Sequence, residues 1–299
     1  MTALESAGVV VGFDGSSPSR EAVLWAAAEA VRRDRPLLVV DVLRGPFPEL
    51  VFTPMAVPLP EVVGEEAVRG YHESRLSEIA EHCRNVSGVE VSTHLAYGHP
   101  ADVLAGIART AELLVVGWSG RTGLARALLG STAAHLVHHC ERPTVVVRGR
   151  VHEAGKVVVG VDGSNAGSGA IAFAFDFAAR HDARIVAVHA WADTPMETIA
   201  PLDAWHYDWH AVERDADTLL ADCLSATRDR YPRVRVDRVV TFDAPAHALI
   251  EQSGDADLLV VGSHGRGALK RAVLGSVGHA VLYHGTSTLA VVPPSGAAA

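Results

Sequence analysis

The stretch 113–131 reads LLVVGWSGRTGLARALLGS, and residues 258–276 read LLVVGSHGRGALKRAVLGS. Thirteen of these nineteen aligned positions are identical, and both copies fit the pattern G-x2-G-x9-G-S. Each copy begins with an apolar run that is typical of a buried strand. A pattern this long that recurs indicates an internal duplication. The 299 residues suffice for two domains of about 150 residues, and we predict them at 1–150 and 151–299, with a linker over 148–155.

Strands and helices are predicted to alternate in each half. In the first half, β-branched apolar runs predict strands at 8–14, 37–43, 89–97, 112–117 and 144–148. Helical spacing predicts helices at 19–33, 65–83, 101–110 and 131–140. The second half repeats the strands at 156–162, 184–190, 234–242, 257–262 and 287–292. We therefore predict an α/β fold of two similar doubly wound, Rossmann-like domains, each a five-stranded parallel sheet of order 3-2-1-4-5 with helices on both faces.

The glycine pattern favours phosphate as a ligand. Its first two glycines follow the strand and allow the backbone to approach a ligand closely. Ser131 and Ser276 are good helix-cap residues, and the N-terminus of a helix attracts phosphate. The same loops add five cations, Arg121, Arg126, Arg266, Lys270 and Arg271. On this basis, alanine at both Gly117 and Gly262 is expected to weaken ligand binding while the fold is retained.

A second motif recurs at the end of the first strand of each half, as GFDGS at 12–16 and GVDGS at 160–164. In an open doubly wound sheet, ligands bind at the carboxyl ends of the strands, where the winding direction reverses. With the predicted order, Asp14 would face the Gly117 loop across that crevice, and Asp162 would face the Gly262 loop.

Together these motifs resemble the universal stress protein family, and the resemblance covers nearly the whole chain as a tandem of two copies. It implies ATP binding, with or without Mg²⁺, in which the glycines and the serine hold ribose and phosphates. The first-strand aspartate would lie near the nucleoside, and the end of the second strand would flank the adenine. The implied binding residues are Asp14, Val42, Gly117, Gly120, Gly130 and Ser131, with Asp162, Ala190, Gly262, Gly265, Gly275 and Ser276 in the second half. Ala133 and Gly278 stand where a hydroxyl residue often adds a phosphate contact, and Trp118 stands where a smaller or polar residue is usual.

Composition argues against several classes of binding partner. The net charge of -9 disfavours nucleic acid and anionic membranes, which attract basic surfaces. Neither a signal peptide nor an apolar run of about 20 residues is present, so we expect a cytoplasmic protein. Three widely spaced cysteines, Cys83, Cys140 and Cys223, fit a reducing compartment. The scarcity of lysine and the abundance of alanine indicate a GC-rich bacterial genome.

Other interpretations stay open from the sequence. The glycines could serve tight turns, the aspartates could be turn or cap residues, and the loop arginines could be solvated. His135, His138 and His139, and the pair His206 and His210, have spacings that permit metal ligation, but they do not recur between the halves, and we expect no metal site. No GxSxG or GxxxxGK[ST] motif occurs, so we expect at most weak ATPase activity.

Beyond a regulatory ATP-binding protein, the alternatives are a slow ATP hydrolase or transferase and a non-catalytic assembly module. The resemblance implies pairing of the terminal strands of each half, between domains and in a homodimer.

Overall fold

The structure is a computed structural model that describes residues 8–44, 65–120, 129–149, 154–190, 209–265 and 274–294. The chain forms two compact units, Met1–Leu136 and Val137–Ala299. Parallel strands and helices build both of them, so the predicted α/β fold and the two-domain layout are confirmed.

The first unit contains four parallel strands among its described residues. They are β1 (Val9–Gly12), β2 (Leu37–Leu43), β3 (Val91–Tyr97) and β4 (Leu113–Gly117), in the order β3-β2-β1-β4. Between them run α1 (Ser17–Arg33), α2 (Glu65–Ser87) and α3 (Pro100–Ala108), and α4 (Ser131–His139) follows β4. The boundary between the two units falls inside α4.

The second unit begins with β5 (Thr144–Val147) and repeats the alternation. Its other strands are β6 (Lys156–Gly160), β7 (Arg184–Ala190), β8 (Val236–Thr241), β9 (Leu258–Gly262) and β10 (Leu289–Val292). Its helices are α5 (Ser168–His181), α6 (Trp209–Arg230), α7 (Pro245–Ser253) and α8 (Ser276–His284). The strand order is β8-β7-β6-β9-β10-β5.

One strand pair departs from the wholly parallel sheet that the sequence predicts. β5 pairs with β10 in antiparallel fashion, with Leu289 opposite Val146. β10 also pairs with β9, so neither of its edges is left unpaired. Covering an edge in this way prevents uncontrolled strand addition. The sheet of this unit is therefore mostly parallel, and the count of five strands for each domain stays a prediction.

Burial follows the position of each strand in its sheet. The central strands β1, β4, β6 and β9 are buried up to their last residue. β3 and β8 lie at the outer edges and are only partly buried. Strands are therefore buried on both faces only towards the centre of the sheet, because an outer strand has a neighbour on one side and less cover from helices.

The first helix of each half begins and ends in a way that its sequence dictates. Ser16 caps α1, since its Oγ accepts a hydrogen bond from the amide of Ser19 at 3.3 Å. Both α1 and α5 end at an aspartate in the left-handed conformation, Asp34 with φ 53° and Asp182 with φ 51°. Aspartate tolerates this conformation better than most residues. The chain then turns directly into β2 or β7, which carry the next predicted site residues.

Candidate functional site

The aspartate after the first strand of each half forms a tight turn. Asp14 Oδ1 accepts a hydrogen bond from the amide of Ser16 at 2.9 Å. Asp162 Oδ1 accepts one from the amide of Ser164 at 2.9 Å and one from its hydroxyl at 2.8 Å. The glycine between them has a φ of 80° at Gly15 and 78° at Gly163, which only glycine adopts readily. The turn role considered from the sequence is therefore real, and it uses one oxygen of each carboxylate.

The other carboxylate oxygen points to the glycine loop of the same half. A Cβ built on Gly120 would lie 2.7 Å from Asp14 Oδ2, and one on Gly265 would lie 2.9 Å from Asp162 Oδ2. The end of the first strand and the loop after the fourth thus come together in both halves. The same contact forms twice from motifs that are about 100 residues apart in the sequence.

A hydrogen bond closes each glycine loop onto its own start. The amide of Gly130 donates to the carbonyl of Trp118 at 2.8 Å, and that of Gly275 donates to the carbonyl of Ser263 at 3.0 Å. A Cβ on Gly130 would lie 3.6 Å from the amide nitrogen of Gly120, and the corresponding distance from Gly275 to Gly265 is 4.0 Å. The third glycine therefore lies beside the second. The five basic residues of these loops fall outside the described residues.

The helix after each loop begins at the serine, as predicted for 131–140, but the serine does not occupy the cap position that the sequence suggested for it. The carbonyls of Gly130 and Gly275 accept the first helical hydrogen bonds, from the amides of Ala134 at 3.0 Å and His279 at 2.9 Å. Gly275 is the N-cap of α8, so Ser276 is its first helical residue and does not cap it. By helix geometry, the amides of residues 276–278 have no partner within the helix. Ser131 and Ser276 are exposed, each as the first residue of its own helix.

Gly117 and Gly262 contact the protein itself. A Cβ on Gly117 would lie 2.7 Å from the backbone carbonyl carbon and oxygen of Pro18, in the first turn of α1. On Gly262 the nearest atom is the carbonyl oxygen of His264 at 3.2 Å. Gly117 therefore lets α1 pack closely against β4. This differs from the ligand contact that the sequence pattern suggested for it.

Replacing Gly117 by alanine is expected to lower the free energy of unfolding by about 1–3 kcal/mol, the usual cost of overpacking. Backbone atoms of α1 cannot move away from the new methyl group as a side chain could. Urea denaturation followed by circular dichroism measures the loss. Gly106→Ala in α3 is the matched control, because nothing lies within 4 Å of its Cβ position. Equal stability of the Gly117→Ala and wild-type proteins would contradict this role.

Val42 and Ala190 lie near the carboxyl ends of β2 and β7, and both are half-buried. β2 runs beside β1, and the amide of Phe13 donates to the carbonyl of Val40 at 2.8 Å. In the second half, the amide of Val161 donates to the carbonyl of Val188 at 2.9 Å. Each of these two residues therefore lies at the same sheet edge as the aspartate of its own half, one strand away.

The two candidate sites differ in what surrounds the aspartate. In the first half, the guanidinium of Arg75 from α2 lies 5.2 Å from the ring centroid of Phe13 and 5.3 Å from that of Tyr71. It also lies where a side chain on Gly15 would point. The second half has Val161 in place of Phe13, and His264 Nδ1 lies 2.8 Å from Ser263 Oγ within the loop. The sequence motifs point to neither Arg75 nor His264.

The histidines considered as metal ligands have separate surroundings. His135 Nε2 lies 3.5 Å from Asp102 Oδ1, and His99 Nδ1 lies 3.5 Å from Asp102 Oδ2. His138 Nδ1 accepts a hydrogen bond from the amide of Leu274 at 3.3 Å. His206 lies outside the described residues, and His210 is exposed on α6.

One histidine with a shifted pKa lies at the start of α7. His247 Nδ1 is 2.6 Å from Asp243 Oδ2. This hydrogen bond, together with the charge of Asp243, raises the pKa of His247. The same bond lowers the pKa of Asp243. The pair is therefore favoured in its charged form. Its i, i+4 spacing in the sequence could have revealed it.

A family model agrees with the duplicated architecture. The universal stress protein family matches residues 8–148 and again residues 153–293. The chain belongs to the universal stress protein family. Universal stress protein Rv2005c of Mycobacterium tuberculosis is 38% identical over 284 residues, which cover 92% of this chain and 93% of that protein. A universal stress protein of Mycolicibacterium smegmatis is 36% identical over 96% of this chain and 97% of its own length.

A solved structure shows the same fold over the full length. A universal stress protein from Archaeoglobus fulgidus superposes with a TM-score of 0.68 at 15% identity, covering 98% of both chains. Among the described residues, no helix combines the length and the apolar character needed to cross a membrane.

Proposed function

We propose that this universal stress protein binds an adenine nucleotide, ATP, in each half, and that nucleotide occupancy sets a regulatory, stress-adaptive output. The observation that carries the proposal is the repeated approach of the aspartate to the second glycine, 2.7 Å and 2.9 Å when measured from the built Cβ. This contact brings the carboxyl end of the first strand next to a glycine-capped helix start, and nucleoside phosphates commonly bind at such places in doubly wound sheets.

The second half offers a complete set of groups for such a ligand. The phosphates would lie on the amides of residues 276–278, where the helix dipole is positive, with the Ser276 hydroxyl beside them. Gly265 and Gly275 would border the ribose and phosphates, and the protein leaves space there, since the nearest atoms to a Cβ on Gly275 are 4.0 Å away. Asp162 and Ala190 would flank the nucleoside. Asp14, Val42, Gly120, Gly130 and Ser131 would play these parts in the first half, and Mg²⁺ would accompany the phosphates.

Gly117 and Gly262 have a different place in this proposal. A Cβ on Gly117 would point into α1, so the absence of a side chain there serves packing. Only the backbone of Gly117 would contact the ligand. Gly262 has more room, and its backbone would border the phosphates together with Gly265.

Binding without rapid turnover agrees with the surroundings of the aspartates. Asp162 Oδ1 already accepts two hydrogen bonds from Ser164, which fixes the carboxylate as part of the turn. A catalytic base needs a carboxylate that can reach the attacking water. The slow hydrolase alternative predicts sustained phosphate release from ATP that Asp14→Asn and Asp162→Asn abolish.

Gly275→Ala is expected to weaken ATP binding to the second half about tenfold or more, because the methyl group would point to where the phosphates lie. Isothermal titration calorimetry with Mg-ATP measures this, after bound nucleotide has been removed and identified by mass spectrometry. Gly254→Ala is the matched control, because this glycine is exposed at the end of α7 and has 3.8 Å to its nearest neighbour. Unchanged affinity of the folded Gly275→Ala protein would overturn the placement, and a wild type that neither carries nor binds adenine nucleotide would overturn the function.

We further infer that the two nucleotide-binding domains span 1–150 and 151–299, which the two family matches support. The packing boundary at Leu136 differs because β5 hydrogen-bonds to β10. A homodimer stays a prediction, and since β10 is paired on both sides, it would have to use another edge. The free thiols of Cys83, Cys140 and Cys223 support a cytoplasmic location, and burial raises the pKa of the Cys83 thiol, as a packing role requires.

A further inference from the structure

Three potential metal ligands project from one side of α7. Asp243 precedes the helix, and His247 and Glu251 follow at intervals of four residues. Residues four apart lie on the same face of a helix. The ligand atoms of all three lie within 4.8 Å of one another. Among the residues that the structure describes, no other trio of histidine, cysteine or carboxylate side chains brings its ligand atoms this close.

The backbone positions this trio. Asp243 lies two residues after the end of β8 at Thr241, and its Oδ1 accepts a hydrogen bond from the amide of Ala244 at 2.6 Å. Pro245 then begins α7, and proline favours the first turn of a helix. The His247 ring lies against Asp243, with 2.6 Å between Nδ1 and Oδ2. His247 and Glu251 are exposed, so a hydrated ion can reach them.

We propose that Asp243, His247 and Glu251 form a binding site for a divalent transition-metal ion, with Zn²⁺ as the best fit. One imidazole nitrogen with two carboxylate oxygens suits zinc and its neighbours in the first row, whereas Mg²⁺ prefers oxygen ligands alone. Zinc takes four ligands at about 2.0–2.2 Å, so three side chains leave one position for water. The three ligand atoms already lie within 4.8 Å of one another, and exposed side chains can rotate to meet an ion. The ion would take the place of the proton that His247 shares with Asp243.

This site is separate from the proposed nucleotide site and does not depend on it. Asp243 follows β8, whereas the phosphates would lie at α8, after β9. In the strand order β9-β6-β7-β8, three strand spacings separate β8 from β9, which amounts to about 14 Å. An ion bound at Asp243 is therefore not the Mg²⁺ of the nucleotide.

The first half provides an internal comparison. Aligning Pro100 with Pro245 places Gly98, Asp102 and Gly106 at the positions of the trio. Two glycines remove two of the three ligands. His99 and His135 flank Asp102 instead, but their ring centroids are 6.1 Å apart, and the three do not form a group within the 4.8 Å limit. We therefore expect one tight zinc ion per chain, bound by the second half.

The test is a Zn²⁺ titration by calorimetry of the full-length, tag-free protein after treatment with a chelator. The variants His247→Gln and Glu251→Gln preserve the size of the side chain and are each expected to weaken the tightest site by at least about tenfold. His82→Gln is the matched control, an exposed histidine on α2, and should leave the titration unchanged. Melting curves establish that each variant is folded.

Three results would overturn the proposal. One is a titration that is the same for His247→Gln and the wild type. Another is loss of the tightest site in Asp102→Asn but not in Glu251→Gln, which would place the ion in the first half. Excess Mg²⁺ should not displace the zinc, and displacement by millimolar Mg²⁺ would likewise contradict a site with a histidine ligand. ATP binding is measured on the same variants, so a failure of this site leaves the nucleotide proposal independently tested.

Discussion

Replacing His72 by leucine is expected to lower the free energy of unfolding by about 1–3 kcal/mol, the usual cost of leaving a buried hydrogen-bonding group without its partner. Asp41, in the middle of β2, is only 2% exposed, and His72 of α2 is 7% exposed. His72 Nδ1 lies 2.6 Å from Asp41 Oδ2. Leucine would leave the carboxylate buried beside an apolar side chain, without the hydrogen bond that compensates for its lost hydration.

The same pair allows a rescue experiment. Asp41→Val combined with His72→Leu removes both polar groups, and replacing a whole buried pair by apolar residues is often neutral. Urea denaturation of the two single variants and the double variant gives the coupling energy. His82→Leu on the same helix is the control, and as an exposed site it should change stability by less than about 0.5 kcal/mol. A double variant no more stable than His72→Leu alone would show that the unpaired Asp41 side chain does not cause the loss of stability.

The second half places a different polar residue at the position of Asp41. His189 aligns with it and is also buried, and its Nδ1 lies 2.6 Å from the backbone carbonyl of Val161. One half thus uses a partner on α2 and the other uses its own backbone. The sequence pattern predicts both strands as apolar runs. It could not predict either hydrogen bond, because the partner of Asp41 lies 31 residues away and that of His189 is a main-chain atom.

The alternation of strands and helices was predictable because its signal is local. Elements such as β4 and β9 are short valine and leucine runs bounded by glycine, and they start and end within one or two residues of the predicted positions. The meeting of Asp14 with Gly120 follows from the rule on strand ends, and the structure brings these residues together. Their role in nucleotide binding stays a prediction.

The roles of individual glycines were less predictable. A glycine shows that a side chain is excluded, but it does not show what excludes it. At Gly117 the excluding atoms belong to Pro18, whereas at Gly120 they belong to the Asp14 carboxylate. In contrast, the spacing of Asp243, His247 and Glu251 is visible in the sequence, but it is missed when only clusters of histidines are considered as metal ligands.

Replacing Arg148 by alanine is expected to destabilise the second unit by about 2–4 kcal/mol. Arg148 is predicted from the sequence to begin a linker, yet its side chain is buried. Its Nη1 and Nη2 donate to the carbonyls of Gly285 and Leu282 at the end of α8. Removing the side chain would leave two carbonyls without these donors, at about 1–3 kcal/mol for each buried group, and would remove a cation from the negative end of the helix dipole.

An opposing contribution limits this loss. Burial lowers the pKa of the Arg148 guanidinium, and its Nε has no hydrogen-bond partner among the described residues, so the charged side chain is costly to bury. Alanine removes that cost, which is why the expected loss is smaller than the sum over two carbonyls and a cavity. The two hydrogen bonds outweigh the cost of burying the charged guanidinium, because each bond to a charged donor contributes about 1.5–3 kcal/mol.

Thermal and urea denaturation of Arg148→Ala, Arg148→Lys and the exposed control Arg233→Ala separate these contributions. Lysine keeps the charge but has no planar pair of donors for two carbonyls, so it should lie between alanine and the wild type. Arg233→Ala should lie within about 0.5 kcal/mol of the wild type. If Arg148→Ala were as stable as the wild type, the cost of burial would equal the gain from both hydrogen bonds. Arg148 directly follows β5, whereas the carbonyls that accept its hydrogen bonds lie at the end of α8. Its loss should therefore also increase amide hydrogen exchange in the last turn of α8.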